Sequence, residues 1–520
     1  MTDNPMDPVL VDGETLTLKQ VLAVAREDHD AQLHPSGLSR MVQSRKLIEK
    51  VLAQEQVVYG VTTGFGRLCD VLISTEDCNT LQKNIIMSHA CGVGKPLPRE
   101  AVRAMMLLRV NTLAKGCSGV RLEVVALLLN MLKQGIHPVV PAKGSVGGQL
   151  IPQAHIALAM IGLGEVEYRD RIISSVEAFR KTGLVSLELT AKEGLALING
   201  TQYMSALGSL ALFDALELFK AASIAAAMSF EALRGIVSAF HPQVHEVRPH
   251  RGQKLSAALM LRLLRGSELL TRDPERVQDA YTLRCIPQVH GATLDALEYI
   301  RGVLEIEINS ATDNPLVFPE SGEVISGGNF HGQPLALVLD LLAIAVNELG
   351  NISERRIERM VNPALNNGLP AFLTENGGLN SGLMLLQYTS AALVSEGKVL
   401  AHPGAVDSIP TSANQEDPVS MGSISAYKGR QVVENISWVI AAELLAATRA
   451  MQFIDHRPGE AGSAVFRLLG EVLPLDDNDR ILYKDLRAVH KYLCDGEVVR
   501  VVEEVTGELL PDGKSSSPNM

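Results

Sequence analysis

A phenol set in a glycine-rich loop, Tyr59-Gly60-Val61-Thr62-Thr63-Gly64-Phe65-Gly66, can be held over a pocket, because glycine accepts φ > 0 and lets a loop move. The same stretch also reads as a surface turn with a packed tyrosine. It is no phosphate cradle, since the GxxxxGK spacing is absent. Ser88-His89 closes a helix-like run before Gly92-Val93-Gly94, so His89 is either a working imidazole or a satisfied structural one. Gln278-Asp279-Ala280-Tyr281-Thr282-Leu283-Arg284 sets a tyrosine and an arginine three apart, on one face if helical. Arg284 is then a fork for a carboxylate, or a surface arginine beside an amphipathic tyrosine. Asn199-Gly200-Thr201-Gln202 and Asp313-Asn314-Pro315 are polar turns, and Gly327–Gln333 adds an aromatic, Phe330. Asn414-Gln415-Glu416-Asp417 places carboxylates between apolar segments, as solvated groups or as acid–base candidates. Gly144-Ser145-Val146-Gly147-Gly148 enforces an irregular turn. His241 and His245 come nearest to metal-ligand spacing, but Pro242 and basic neighbours argue against a site, and no metal is expected. No GxSxG nucleophile motif occurs.

The elements that must position these groups are helical. Residues 76–92, 98–114 and 119–134 have helical periodicity, 14–58 read as short amphipathic helices, and helix resumes near Pro152. Residues 203–235, 334–350, 383–401 and 430–452 are apolar on nearly all sides, which requires burial among other helices or subunits. That much apolar helix implies an oligomer with a helical core. Two regions are expected: an N-terminal domain at 1–200, and a helical bundle with a C-terminal helical region at 201–520.

Bulk properties narrow the function. Aromatics make up 4% of the 520 residues and hydrophobic residues 46%, which favours helix over strand in a globular chain. A net charge of −12 without a basic stripe excludes a nucleic-acid surface. Asp214, Glu217 and Asp340 interrupt the most apolar tracts, so no membrane span is expected. Six cysteines without finger spacing, and no basic-then-apolar leader, point to the cytoplasm.

Taken in order, eight blocks resemble the aromatic amino acid ammonia-lyases and aminomutases that depend on methylidene-imidazolone (MIO), across roughly residues 10–480. They are Tyr59–Gly66, Ser88–Gly94, Gly144–His155, Glu193–Gln202, Gln278–Gly291, Asn309–Pro315, Gly327–Gln333 and Thr411–Gly422. The resemblance implies a mainly α fold with a fumarase/aspartase-like long-helix core. It implies a homotetramer whose active sites each draw on three chains. The implied electrophile is MIO, formed when an Ala-Ser-Gly tripeptide cyclises on itself, with no metal or diffusible cofactor. Attack of the substrate amine on its methylene makes a poor leaving group a good one. Tyr59 matches the loop base that removes the β-proton, which requires its pKa, near 10 in water, to be lowered. Asn199 and Tyr281 match groups that hold the amine, and Arg284 matches the carboxylate clamp. Asn314 matches a residue near that carboxylate, Phe330 lines the pocket, and Gln278 is assigned to substrate binding.

Within the family, His89, Gln202 and Glu416 look like the histidine ammonia-lyase branch, which implies conversion of L-histidine to urocanate in histidine metabolism. Three positions depart from it. Gln149 replaces the family Asp, Pro418 stands where histidine-acting members carry His, and His331-Gly332-Gln333 replaces His-Ala-Glu. The last, with Tyr281–Arg284, is also similar to tyrosine ammonia-lyases and tyrosine 2,3-aminomutases. The electrophile segment reads Gly147-Gly148-Gln149, without Ala-Ser. Either Gly148 stands for a cyclised Ala-Ser-Gly and is the catalytic group, the simpler account, or the chain is an MIO-less, non-catalytic relative.

Overall fold

Thr17 accepts the amide hydrogen of Gln20 while the Gln20 side chain accepts that of Thr17, and this reciprocal box starts the Leu18–Arg26 helix. That helix is the first helix of a computed structural model, which describes residues 7–510 except 75, 148–149, 271–275 and 475–477. The described residues are mainly helical. They form two compact units, each discontinuous in sequence. The first comprises Met1–Leu210, Arg301–Asp340 and Pro403–Tyr427; the second comprises Ala211–Ile300, Leu341–His402 and Lys428–Met520.

The first unit is organised about the Arg99–Ala114 helix, buried continuously from Ala101 to Ala114. Leu18–Arg26, Pro35–Ala53 and Leu122–Lys133 pack around it, so this helix has no polar face. Its two inner arginines are served by backbone: Arg103 donates to the Val24 carbonyl at 2.8 Å, and Arg109 reaches the 196–199 segment. Short strands finish the unit. Val9–Val11 pairs in parallel with Ala31–Leu33, and Val93–Pro96 runs antiparallel to Pro141–Lys143. Glu165–Tyr168 lies between His137–Pro138 and Arg171–Ser174, and Leu316–Phe318 pairs with Glu323–Ile325.

The second unit is built on close helix contacts at small residues. A Cβ added to Gly252, in the Arg251–Leu263 helix, would lie 2.0 Å from the Gly291 carbonyl oxygen. A Cβ on Gly350 would lie 2.4 Å from Ile436 Cδ1. Within this packing Arg356 and Glu443 form an ion pair with both side chains at 0% exposure, and Ser229 donates to the same carboxylate at 2.7 Å.

The four longest described helices are Gln202–Ala232, Ile286–Glu307, Gln333–Val361 and Gly422–Met451. The last begins eight residues before the apolar run that announces it, because its first turns carry Ser423, Ser425, Tyr427 and Lys428. Among the described residues one helix, Gln333–Val361, is long and apolar enough to cross a membrane, and 72% of its most apolar window is buried inside the protein.

Gly252→Ala should lower the melting midpoint on calorimetry, at an overpacking cost of about 1–3 kcal/mol. Gly302→Ala is the control. Its Cβ would meet nothing within 4 Å, so the midpoint should hold or rise.

Candidate functional site

The Tyr59 loop is tied to itself by its threonines. Thr62 Oγ1 donates to the Gln56 carbonyl at 2.8 Å and accepts from Val58 N, while Thr63 Oγ1 accepts from Gly60 N. The Tyr59 hydroxyl, half-buried, accepts from Gly66 N at 3.4 Å. Gly66 faces the Thr411–Glu416 turn so closely that a Cβ there would sit 2.6 Å from Ser412 Oγ. In that turn Ser412, Ala413 and Asn414 all have φ between 50° and 67°. Three consecutive left-handed non-glycine residues are costly, and such strain gathers at functional sites. The turn presents Glu416, whose Oε2 accepts from Thr411 Oγ1 at 2.9 Å.

His89 ends the Cys78–His89 helix, its Nδ1 3.0 Å from Ser88 Oγ. Burial lowers its pKa, while a hydrogen bond and the negative charge of Glu416 oppose the shift. Burial likewise raises the pKa of Tyr59; Gly66 N–H opposes that, and Cys69 and Glu416 add to it. The fold therefore sets Glu416 within electrostatic reach of Tyr59 and of His89. It does not supply the lowered phenol pKa expected for a base, because burial and a carboxylate both act the other way.

Asn199 and Asn314 form a second group in the same unit. Asn199 Nδ2 donates to the Asn314 carbonyl at 3.3 Å. Asn314 Oδ1 accepts from Gly327 N at 2.8 Å and from Ser326 Oγ at 3.2 Å, anchoring the loop that leads to half-buried Phe330. Gln202 is placed differently from a free ligand group. Its Nε2 donates at 2.9 Å to both Thr112 and Thr312, and the side chain is 2% exposed.

Gln278, Tyr281 and Arg284 belong to the second unit. Gln278 is exposed, Tyr281 is 71% exposed, and the Arg284 guanidinium stacks over the Tyr281 ring with its central carbon 4.6 Å from the centroid. Gly148, the assigned electrophile position, and Gln149 lie outside the described residues.

Two buried cations, Lys192 and Arg109, were not singled out by the motifs, and one of them pairs with Asp313 of the polar turn. Lys192 and Asp313 pair at 2.6 Å with both at 0% exposure, and Arg109 Nη1 donates to the carbonyls of Ala196 and Asn199. A signal existed: Arg109 stands alone inside Met105-Met106-Leu107-Leu108 and Val110, where a charge needs a fixed partner.

With this geometry in place, comparison with known proteins is informative. The profile of the aromatic amino acid lyases matches residues 16–471. The chain belongs to the aromatic amino acid lyase family. It is 54% identical to histidine ammonia-lyase of Caldanaerobacter subterraneus, over 96% of this chain and 99% of that one. The crystal structure of histidine ammonia-lyase from Trypanosoma cruzi is 44% identical, with TM-score 0.90, covering 97% of this chain and 96% of that one. Tyrosine aminomutase from Streptomyces globisporus is 38% identical, with TM-score 0.93, covering 96% and 99%.

An aromatic amino acid lyase of this kind implies MIO, and the segment can be tested for it. Its flanks suit a rigid group. Met421 N donates to the Val146 carbonyl at 2.8 Å, and Ser423 Oγ donates to Ser145 Oγ at 3.0 Å. Gly147 has φ +131°, and a Cβ there would lie 2.2 Å from Ser420 Oγ. His155 Nε2 accepts from Gly92 N at 3.1 Å, so the flanking helix is tied in as well. The precursor itself does not fit as it stands: a serine must sit between two residues that close the ring, and none lies between Val146 and Leu150. At one departure, the Pro418 carbonyl oxygen lies 3.3 Å from His331 Nε2.

Replacing Glu416 by Gln removes a negative charge from both partners. The ionisation of Tyr59, followed by tyrosinate absorbance, should then move to lower pH. The His89 pKa, followed by NMR, should also fall, because the opposing charge is gone. Unmoved titrations would break the proposed coupling.

Proposed function

We propose that this chain is an ammonia-lyase that eliminates ammonia from L-histidine to give urocanate. The observation that carries this reading is Glu416 set within reach of His89 and Tyr59, in a chain 54% identical to a histidine ammonia-lyase over nearly its full length. A carboxylate beside an imidazole can pair with the polar ring of a histidine substrate, which an apolar pocket could not do. In this reading Tyr59 takes the β-proton onto its phenolic oxygen, and Asn199 orients the amine. Asn314 stands near the substrate carboxylate and Phe330 walls the ring pocket. Gln202, with its amide hydrogens committed, shapes the pocket floor rather than gripping substrate.

Tyr281, Arg284 and Gln278 are read as contributions to the site of another copy in a homotetramer. Exposed apolar residues support this, with Tyr299 and Ile306 seven apart on one helix and Leu385, Tyr388 and Val399 along another. Arg284 then clamps the carboxylate as a bidentate fork. All six cysteines are free thiols, which supports a reducing, cytoplasmic setting.

MIO would sit at the position of Gly148 and supply the electrophile that turns the amine into a good leaving group. Tyr59, Asn199, Tyr281 and Arg284 are all present to serve it, which favours Gly148 standing for a cyclised Ala-Ser-Gly. A true absence of Ala-Ser favours a second reading, an MIO-less relative that binds without eliminating, while Pro418 and His331-Gly332-Gln333 bear on the choice of substrate.

Intact-protein mass separates the two. A cyclised tripeptide makes the mass exceed that of the 520-residue sequence by Ala plus Ser less two waters, whereas equality selects the MIO-less chain. Incubation with histidine, tyrosine and phenylalanine tests the substrate. Growth of urocanate absorbance is expected with histidine alone. Coumarate or β-tyrosine, with histidine untouched, would select a tyrosine ammonia-lyase or 2,3-aminomutase instead.

A further inference from the structure

We propose that Arg109 is a positioning residue for Asn199, fixing from behind the amide that faces the substrate amine; this rests on the ammonia-lyase reading of Asn199. Asn199 is the C-cap of a six-residue helix, Glu193–Ile198, and its backbone turns out of the helix at φ −79°, ψ 134°. The carbonyls of Ala196 and Asn199 are thereby left without helical partners in a buried place, where an unpaired carbonyl is costly. Arg109 Nη1 takes both, at 2.8 and 2.7 Å, from a helix that is buried over its whole inner length. One rigid guanidinium nitrogen thus fixes the last turn of the short helix and the outgoing backbone of the residue beyond it.

The other end of the same helix is fixed just as firmly. Lys192, its N-cap residue at φ +76°, pairs with Asp313, and Asp313 Oδ1 accepts from Asn314 N at 2.7 Å. Gln82, from the helix that ends in His89, accepts from Gly194 N at 2.8 Å. Asn199 then meets the Asn314 carbonyl. The Asn199 amide therefore has little freedom unless Arg109 releases it. Arg109 itself is 0% exposed, and among the described residues its Nε and Nη2 have no hydrogen-bond partner. Its two bonds to this segment are what hold the buried cation in register.

Lysine keeps the charge but loses the planar fork and the reach to both carbonyls. Arg109→Lys should lower kcat for histidine about 10- to 100-fold, since a small displacement of a positioned group costs that much. KM should change by less than about threefold, because ground-state contacts are left in place. In an Asn199→Ala background the same substitution should cost less than about twofold, since the group it positions is gone. Equal factors in both backgrounds would overturn the proposal and leave Arg109 a stabiliser only, which a melting curve of each variant would register. If the unsubstituted protein turns over no histidine, the lyase reading fails separately. The proposal is then read from the Asn199 side-chain amide resonance in NMR, which Arg109→Lys should shift or broaden, and an unchanged resonance overturns it. Should Arg109→Lys not fold, Arg109→Gln measured alone and in the Asn199→Ala background carries the same non-additivity test.

Discussion

The buried pair of Lys192 and Asp313 is the constraint on which the first unit turns. Removing a carboxylate and an ammonium from water costs several kcal/mol each, and only close geometry with further hydrogen bonds offsets it. Here the geometry is close, at 2.6 Å, and Asp313 Oδ1 also receives Asn314 N. Burial still lowers the Lys192 pKa, and the Arg109 cation adds to that, while Asp313 opposes both. Breaking such a pair from one side leaves a bare buried charge, a loss of about 3–5 kcal/mol. The arrangement survives because residues 192–199 and 312–314 are not in long regular elements. Several of their backbone groups are met by side chains, among them Gly194 N by Gln82 and the Ala196 and Asn199 carbonyls by Arg109. Three segments far apart in sequence are in this way held in one register, and Asn199 and Asn314 inherit it.

That rigidity contrasts with the electrostatics in front of it. Among the described residues no cation shifts Tyr59 downward, and the influence that opposes burial is the Gly66 N–H at 3.4 Å. A phenol that works as a base needs positive charge near its oxygen. On the proposed reading the site is completed by Tyr281 and Arg284 of another copy, and of that pair the Tyr281 ring is 71% exposed. The unfavourable shift is then a property of an unassembled site. Glu416 has a double effect there: it disfavours the Tyr59 phenolate and favours a protonated ring at His89. A substrate imidazole placed between them would relieve both.

Much of the helical frame was legible, because apolar runs such as 98–114 and 383–401 appear as Arg99–Ala114 and Met384–Leu400. The Ile286–Glu307 helix was not read, since Pro287 and Gly291 look like breakers. The proline falls in the first turn, where its missing N–H costs nothing, and the glycine is the point of contact with Gly252. The two- to four-residue strands escaped because they carry no alternation long enough to show. For the site, residue types and spacing left Tyr59, His89 and Glu416 ambiguous, and the family resemblance singled them out; Glu416 acts electrostatically on each of the other two. The commitment of Gln202 to Thr112 and Thr312 was not legible. It depends on Thr112, ninety residues away, turning its hydroxyl inward from an otherwise apolar helix.

The flanks of Gly147 sharpen what its neighbour means. Val146 is held through Met421 N, Ser145 through Ser423, and Gly147 has no room for even a methyl against Ser420. On the far side the Leu150–Met160 helix is tied back through His155 to Gly92. Because both ends are anchored by residues outside the segment, a change in the number of residues between them cannot be taken up by sliding either flank. A surface loop would absorb two residues more or fewer at small entropic cost. This segment is framed on both sides by contacts, at Val146 through Met421 and at the Leu150–Met160 helix through His155. The serines that frame it (Ser145, Ser420 and Ser423) are in place under either reading. What the junction holds therefore decides between elimination and mere binding, while the surrounding architecture serves both.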